Sequence, residues 1–168
     1  VNVDLDDAQE KQVLSDFAAR RVDYQHRLAV LEGFYRKSGS LDKLRWAVRE
    51  ARNLDRSNVV IEWSWLPEMR PPEGESVVDR DERVLVEYTV AAREAYLQTV
   101  RDLISFYEST GQTQKLAAVR KMDREFNYVR VYEYFLPAEI PGPELRPVTE
   151  DPQAKALYEQ AHELHVQG

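Results

Sequence analysis

The chain contains no cysteine, which removes disulfides, thiolate metal sites and a cysteine nucleophile at once. Glycine is scarce, six residues in 168, and none builds a phosphate loop, a dinucleotide fingerprint or a nucleophile elbow with its oxyanion loop. No apolar run approaches the roughly 18 residues that a membrane span needs. Acidic residues outnumber basic ones, 30 to 23, and the formal charge of −7 repels phosphate backbones, which argues against a nucleic-acid partner. The opening Val1-Asn2-Val3-Asp4-Leu5-Asp6-Asp7 is acidic and has no apolar core of the kind a signal peptide carries. It also lacks an initiating Met, as a cut segment or a mature form without its leader would. A cytoplasmic location and export after leader removal both fit.

What the chain does have is a globular mixture, 43% apolar and 32% charged, with too much hydrophobicity for a disordered segment. It also has internal similarity. Phe34-Tyr35-Arg36-Lys37-Ser38-Gly39 is echoed 72 positions later by Phe106-Tyr107-Glu108-Ser109-Thr110-Gly111. At the same spacing Tyr24 matches Tyr96, Leu28 matches Val100, Leu31 matches Leu103, and Lys43-Leu44 matches Lys115-Leu116. Trp65-Leu66-Pro67 resembles Phe135-Leu136-Pro137 at a spacing of 70. Asp7, Asp79 and Asp151 are also 72 apart, each ahead of a helical pattern. The expected organisation is copy one over 1–74, copy two over 75–147, and the start of a third helical element over 148–168.

The fold class expected is all-α. Leu14, Phe17, Tyr24, Leu28, Leu31 and Tyr35 recur at helical spacing, with no Pro or Gly from Ala8 to Glu32, and predict a first helix of about 30 residues. Val86, Val90, Tyr96, Val100, Leu103 and Tyr107 give the same stripe in copy two. Gly39 and Gly111 suit the turns, because glycine ends helices in the left-handed conformation without a Cβ clash. Shorter returning helices are predicted over Leu41–Arg56 and Thr113–Phe126, completing two antiparallel hairpins. Asn58–Trp65 and Tyr128–Phe135 are rich in β-branched and aromatic residues and read as short extended or β segments. Each ends in Leu-Pro and a Pro-containing stretch, of which 137–147 is the better linker.

Leu31-x3-Tyr35-x3-Gly39, followed by Leu44, Ala51 and Leu54, resembles the tetratricopeptide helix-turn-helix pattern. Copy two keeps Leu103, Tyr107, Gly111, Leu116 and Phe126 but has Asp123 where Ala is usual. Ala154-x3-Tyr158-x2-Ala161-x2-Leu164 also looks like a second helix of that repeat, whereas the 72-residue spacing makes it a first helix. The period departs from the roughly 34 residues of the family, and the first helix is much longer. The resemblance implies a protein-binding scaffold. Tetratricopeptide hairpins that hold peptide ends use polar first-helix positions, which correspond here to His26, Arg36 and Lys37, and to Gln98, Arg101 and Ser105. Arg36, Lys37 and Arg101 would then meet a carboxylate; the plainer role for them is a charged, solvated face.

The aromatic residues Trp63, Trp65, Tyr132, Tyr134 and Phe135 are the other candidate partner-binding set, since Trp and Tyr are enriched in binding hot spots. Their plainer role is to cover apolar surface between the hairpins. Glu159, His162 and His165 share a helical face, but a carboxylate-bridged metal pair needs a second Glu-x-x-His, and there is none. The reading is therefore of a non-catalytic interaction or scaffold module without cofactor or metal, forming a segment of a larger repeat protein. Self-association through exposed repeat ends is an accompanying expectation. Recognition of a peptide or small ligand through the aromatic or Arg/Lys surface is the alternative, ahead of an enzyme or metal site.

Overall fold

The computed structural model describes residues 1–59, 61–71, 81–127, 132 and 134. The chain divides into a unit Val1–Tyr134 and a unit Phe135–Gly168; only the first contains described residues. The expected third element over 148–168, the 137–147 linker, Phe135, Asp79, Asp151 and the Glu159/His162/His165 face all lie outside the described residues.

The described part of the first unit is helical, as expected for an all-α chain. Its elements are α1 (Ala8–Ser38), α2 (Leu41–Val59), α3 (Glu82–Ser109) and α4 (Thr113–Asn127), with no strand among the described residues. Asp7 starts α1 by accepting from the backbone N–H of Gln9 at 2.8 Å and of Glu10 at 3.0 Å, which satisfies two of the free donors of a first turn. Asp81 caps α3, so the cap that answers Asp7 lies two residues beyond the Asp79 that sequence spacing singles out. Gly39 and Gly111 stop the long helices at φ 75° and 68°. In both turns the next residue bonds back to a tyrosine carbonyl: Ser40 N to Tyr35 O at 3.1 Å, and Gln112 N to Tyr107 O at 3.0 Å.

Helix α2 runs three residues past the expected Arg56. Ser57 Oγ and Asn58 Nδ2 both donate to Leu54 O, at 2.9 and 2.6 Å, so their side chains bond within the helix despite the β-leaning composition that follows. The segment 61–71 is irregular rather than a strand. Its first residues run beside the N-terminal residues, with Ser64 N donating to Val1 O at 2.9 Å and Val3 N to Ser64 Oγ at 2.8 Å.

Helices α1 and α3 are antiparallel. Going up α1, Glu10 meets Tyr107, Phe17 meets Tyr96, Tyr24 meets Arg93, and Arg27 meets Tyr88. Each short helix folds back on its own long helix, and the C-terminal ends of α2 and α4 meet where Asn53 Nδ2 donates to Phe126 O at 2.8 Å. One core draws on all four helices: Tyr24, Leu54, Tyr96 and Phe126 are all buried in it. Burial at positions 72 apart is matched. Leu14, Leu28, Leu31 and Tyr35 are buried, and so are Val86, Val100, Leu103 and Tyr107; likewise Ala47 and Leu54 with Val119 and Phe126.

Candidate functional site

Two polar clusters lie inside this apolar frame. In the first, Glu50 of α2 faces Arg93 of α3, both almost fully buried. Glu50 Oε1 accepts from Arg93 Nε at 2.8 Å and Nη2 at 2.5 Å, and from the Tyr24 hydroxyl. Glu50 Oε2 accepts from the Tyr134 hydroxyl at 2.7 Å. Burial, the largest single influence, would lower the Arg93 pKa, but the charges of Glu50 and Tyr24 and their hydrogen bonds together outweigh it and the pKa rises. Burial, then the same carboxylate, pushes the Tyr24 and Tyr134 phenols far above their ordinary value.

In the second cluster Glu10 of α1 is fully buried. It accepts from Lys115 Nζ of α4 at 2.6 and 2.9 Å and from the Tyr107 hydroxyl at 2.9 Å, and its other bond, from Asp4 N at 3.0 Å, closes the start of the helix. Burial and this hydrogen bond raise the Tyr107 phenol. At the other end of the long pair, Lys43 Nζ bonds Glu82 Oε1 at 2.8 Å. Lys43 and Lys115 are 72 positions apart, and so are Glu82 and Glu10.

The aromatic residues divide between two places. Trp63 packs on Phe17 and Tyr107, with centroids 6.5 Å away in each case, and is half-buried, as is Trp65 against the same core. Tyr132 stacks on Trp46 at 5.5 Å, and the fully buried Tyr134 stacks on Tyr35 at 6.1 Å. Tyr134 adopts φ 65° to do so, a left-handed conformation that costs a residue with a Cβ roughly 1–3 kcal/mol. Arg36 and Lys37 are exposed in the last turn of α1, and Arg101, also exposed, donates to Gln98 Oε1. Arg101 lies opposite the first third of α1, about 20 residues and therefore roughly 30 Å from Arg36. The three cations do not converge on one ligand. His26 is half-buried, and Gln98 and Ser105 are exposed.

A shallow groove of about 290 Å³ runs between α1 and α3, lined by Arg20, Asp23, Arg27, Tyr88 and the small side chains of Ala91, Ala92 and Ala95. The Arg27 guanidinium lies 5.2 Å from the Tyr88 ring centroid and bonds Asp23 at 3.2 Å. Among the described residues no group of three or more His, Asp or Glu could hold a metal ion, and no helix is long and apolar enough to cross a membrane.

No protein-family model, no curated protein and no solved structure matches this chain.

Sequence reasoning passed over Glu10, Glu50, Glu82 and Arg93. The signal was present. Glu10 and Glu50 sit on the apolar stripes of their helices, a position where a carboxylate needs a buried partner.

Proposed function

We propose that the chain is a non-catalytic interaction or scaffold module made by internal duplication, with two hairpins of period 72 related by a half-turn. The observation that carries the reading is the reciprocal ion pairing: Lys43 of the first hairpin holds Glu82 of the second, and Lys115 of the second holds Glu10 of the first. An exchange of partners between positions 72 apart is what a two-fold relation produces. Contact between the equivalent residues Tyr24 and Tyr96, with centroids 5.9 Å apart, supports an axis passing between them. The tetratricopeptide resemblance then applies within each hairpin, through Leu31, Tyr35 and Gly39 and their mates. A solenoid step would instead set equivalent helices side by side and parallel.

The non-catalytic reading draws support from the buried carboxylates. Glu10 and Glu50 are each saturated by donors of their own chain, which suits fixing helices in place better than moving protons. Exposed charge at Arg36 and Lys37, or at Arg101, is where a protein partner would be met, as two separate patches. Affinity capture with the full chain tests this. Capture by the unmodified chain that is lost with Arg36→Glu/Lys37→Glu or with Arg101→Glu is the expected result. A partner retained by both variants would remove these surfaces from the proposal.

The alternative, recognition of a small ligand, is favoured by the groove between α1 and α3, where arginines and a tyrosine flank a floor of alanines. Ligand-dependent protection lost with Arg20→Ala would support it.

A further inference from the structure

Helix α2 turns one side to solvent, and that side carries a row of arginines. Arg45, Arg49, Arg52 and Arg56 follow one another at steps of four, three and four residues, the spacing of a single helical face, and all are exposed. Helical rise makes the row roughly 16 Å long. Leu41, one turn ahead of Arg45, is 64% exposed, and Val48 is half-buried between Arg45 and Arg52 on the same side.

Little within the chain answers these charges. Among the described residues Arg45 alone of the row has an ion-pair partner, Asp42 at 3.1 Å, and both members of that pair are exposed. Arg49 Nη1 lies 3.5 Å from the Tyr132 hydroxyl, and Arg56 Nη2 donates to Asn53 Oδ1 at 3.2 Å. The other carboxylates of α2 are engaged elsewhere, Glu50 with Arg93 beneath the helix and Asp55 with Gln25 of α1 at 2.8 Å. Like charges three and four residues apart repel and weaken the helix that carries them. Nor does the fold call for the row. Across the duplication the buried positions of the short helices stay apolar, Ala47 with Val119 and Leu54 with Phe126, while Arg45 and Arg56 answer to Ala117 and Tyr128. Such a concentration of positive charge, in a chain of charge −7, suits an anionic partner.

Size and chemistry choose among anions. A guanidinium fork takes the two oxygens of a carboxylate together. A nucleic acid or a membrane surface would reach far beyond the row, into the field of a chain of net charge −7. A short peptide laid along α2 meets the row itself, with more distant charges screened over about 8 Å. Leu41 and Val48 add apolar contact, which fits a segment mixing carboxylates with apolar side chains.

We propose that this side of α2 docks an acidic amphipathic helix of a partner protein, with Asp or Glu carboxylates on the arginine row and an apolar side chain over Leu41 and Val48. The proposal rests on the interaction-module reading above and names the chemistry of its partner.

The test titrates the full chain into a fluorescein-labelled peptide that carries Glu and Leu at helical spacing, read by fluorescence anisotropy, with Gln in place of Glu as the control. The Glu peptide should bind, and more weakly as sodium chloride rises from about 50 to about 300 mM. Arg49→Glu/Arg52→Glu should weaken binding by roughly tenfold or more, because two attractive pairs become repulsive. Its helical circular dichroism should be unchanged, since both side chains are exposed. Arg49→Lys/Arg52→Lys should fall between the two, with the charge kept and the fork lost. No binding of the Glu peptide, binding that survives Arg49→Glu/Arg52→Glu, or equal binding of the Gln peptide overturns the proposal. So does tighter binding of a single-stranded oligonucleotide or of phosphatidylserine vesicles that is lost with the same variant, which would make the row a phosphate site. If the peptide fails while affinity capture is lost with Arg101→Glu, this docking surface falls and the interaction-module reading stands. If capture fails as well, both fall.

Discussion

Replacing Glu50 by methionine is expected to destabilise the folded chain by about 3–5 kcal/mol, because it leaves a buried guanidinium without its counter-charge. The size follows from what is lost. Two charge-assisted bonds from Arg93 disappear, and the Tyr24 and Tyr134 hydroxyls lose their acceptor. For a unit of this size the unfolding midpoint should fall by roughly 10–15 °C. Removing Arg93 as well is the informative step. In the Glu50→Met/Arg93→Met pair no charge is left buried, and apolar replacement of a buried ion pair is often neutral or better. The double variant should therefore recover about 2 kcal/mol or more over Glu50→Met, short of full recovery because the two phenols remain unpaired. Chemical denaturation of the unmodified chain, Glu50→Met, Arg93→Met and the double variant, with unchanged m-values, gives the coupling energy directly. A Glu50→Met cost below about 1 kcal/mol, or a double variant no more stable than the single, would refute the argument that charge burial dominates this cluster.

Alkali should unfold the protein. Tyr24, Tyr96, Tyr107 and Tyr134 all have phenols raised above the ordinary value near 10. Their contribution to stability is intact below pH 10 and is lost as pH rises through the window above it, by up to about 5 kcal/mol per pH unit for the four together. Tyrosinate absorbance should then appear in two phases, the second coinciding with loss of helical circular dichroism; a single phase complete while the helix signal persists would contradict it. Two glycines of the first hairpin should respond oppositely to alanine. Gly33 is helical with open space around its Cβ position, so Gly33→Ala should stabilise by about 0.5–1 kcal/mol. Gly39 has as much space but φ 75°, so Gly39→Ala should destabilise by about 1 kcal/mol in the same denaturation assay. Asp7→Ala, which removes the α1 cap, should cost about 0.5–2 kcal/mol.

The helices were legible because their signals are local. The stripe from Leu14 to Tyr35 specifies a face, and Gly39 and Gly111 specify where the chain reverses; the α1–α2 and α3–α4 turns fall there. The extent of α2 was less legible, since the β-branched and aromatic run that begins at Val59 reads as extended, while Ser57 and Asn58 just before it bond back to Leu54 O within the helix. The pairing of the long helices was not legible. A stripe says that a partner exists, not its direction, and only contacts such as Glu10 to Tyr107 at one end and Arg27 to Tyr88 at the other reveal that α3 runs opposite to α1. The polar clusters were hidden for the same reason: Glu50 looks like one more surface charge until Arg93, 43 residues away in sequence, is brought onto it. The aromatic residues were recognised as a group by composition, but Trp63 and Tyr134 pack on different tyrosines, Tyr107 and Tyr35.

The antiparallel long pair also bears on how the chain reaches this state. Glu10 waits for Lys115, 105 residues later in the sequence, and the core-facing stripe of α1, on which α2 packs only in part, is not closed until α3 has been made. Contacts this distant raise the entropy that must be lost before any of them forms, which slows folding. During synthesis the first hairpin would emerge with Phe17 lacking Tyr96 and Glu10 lacking Tyr107 and Lys115. A nascent chain in that condition is one that chaperones hold, and the lag between the appearance of α1 and its burial is set by the length of chain that separates the two halves.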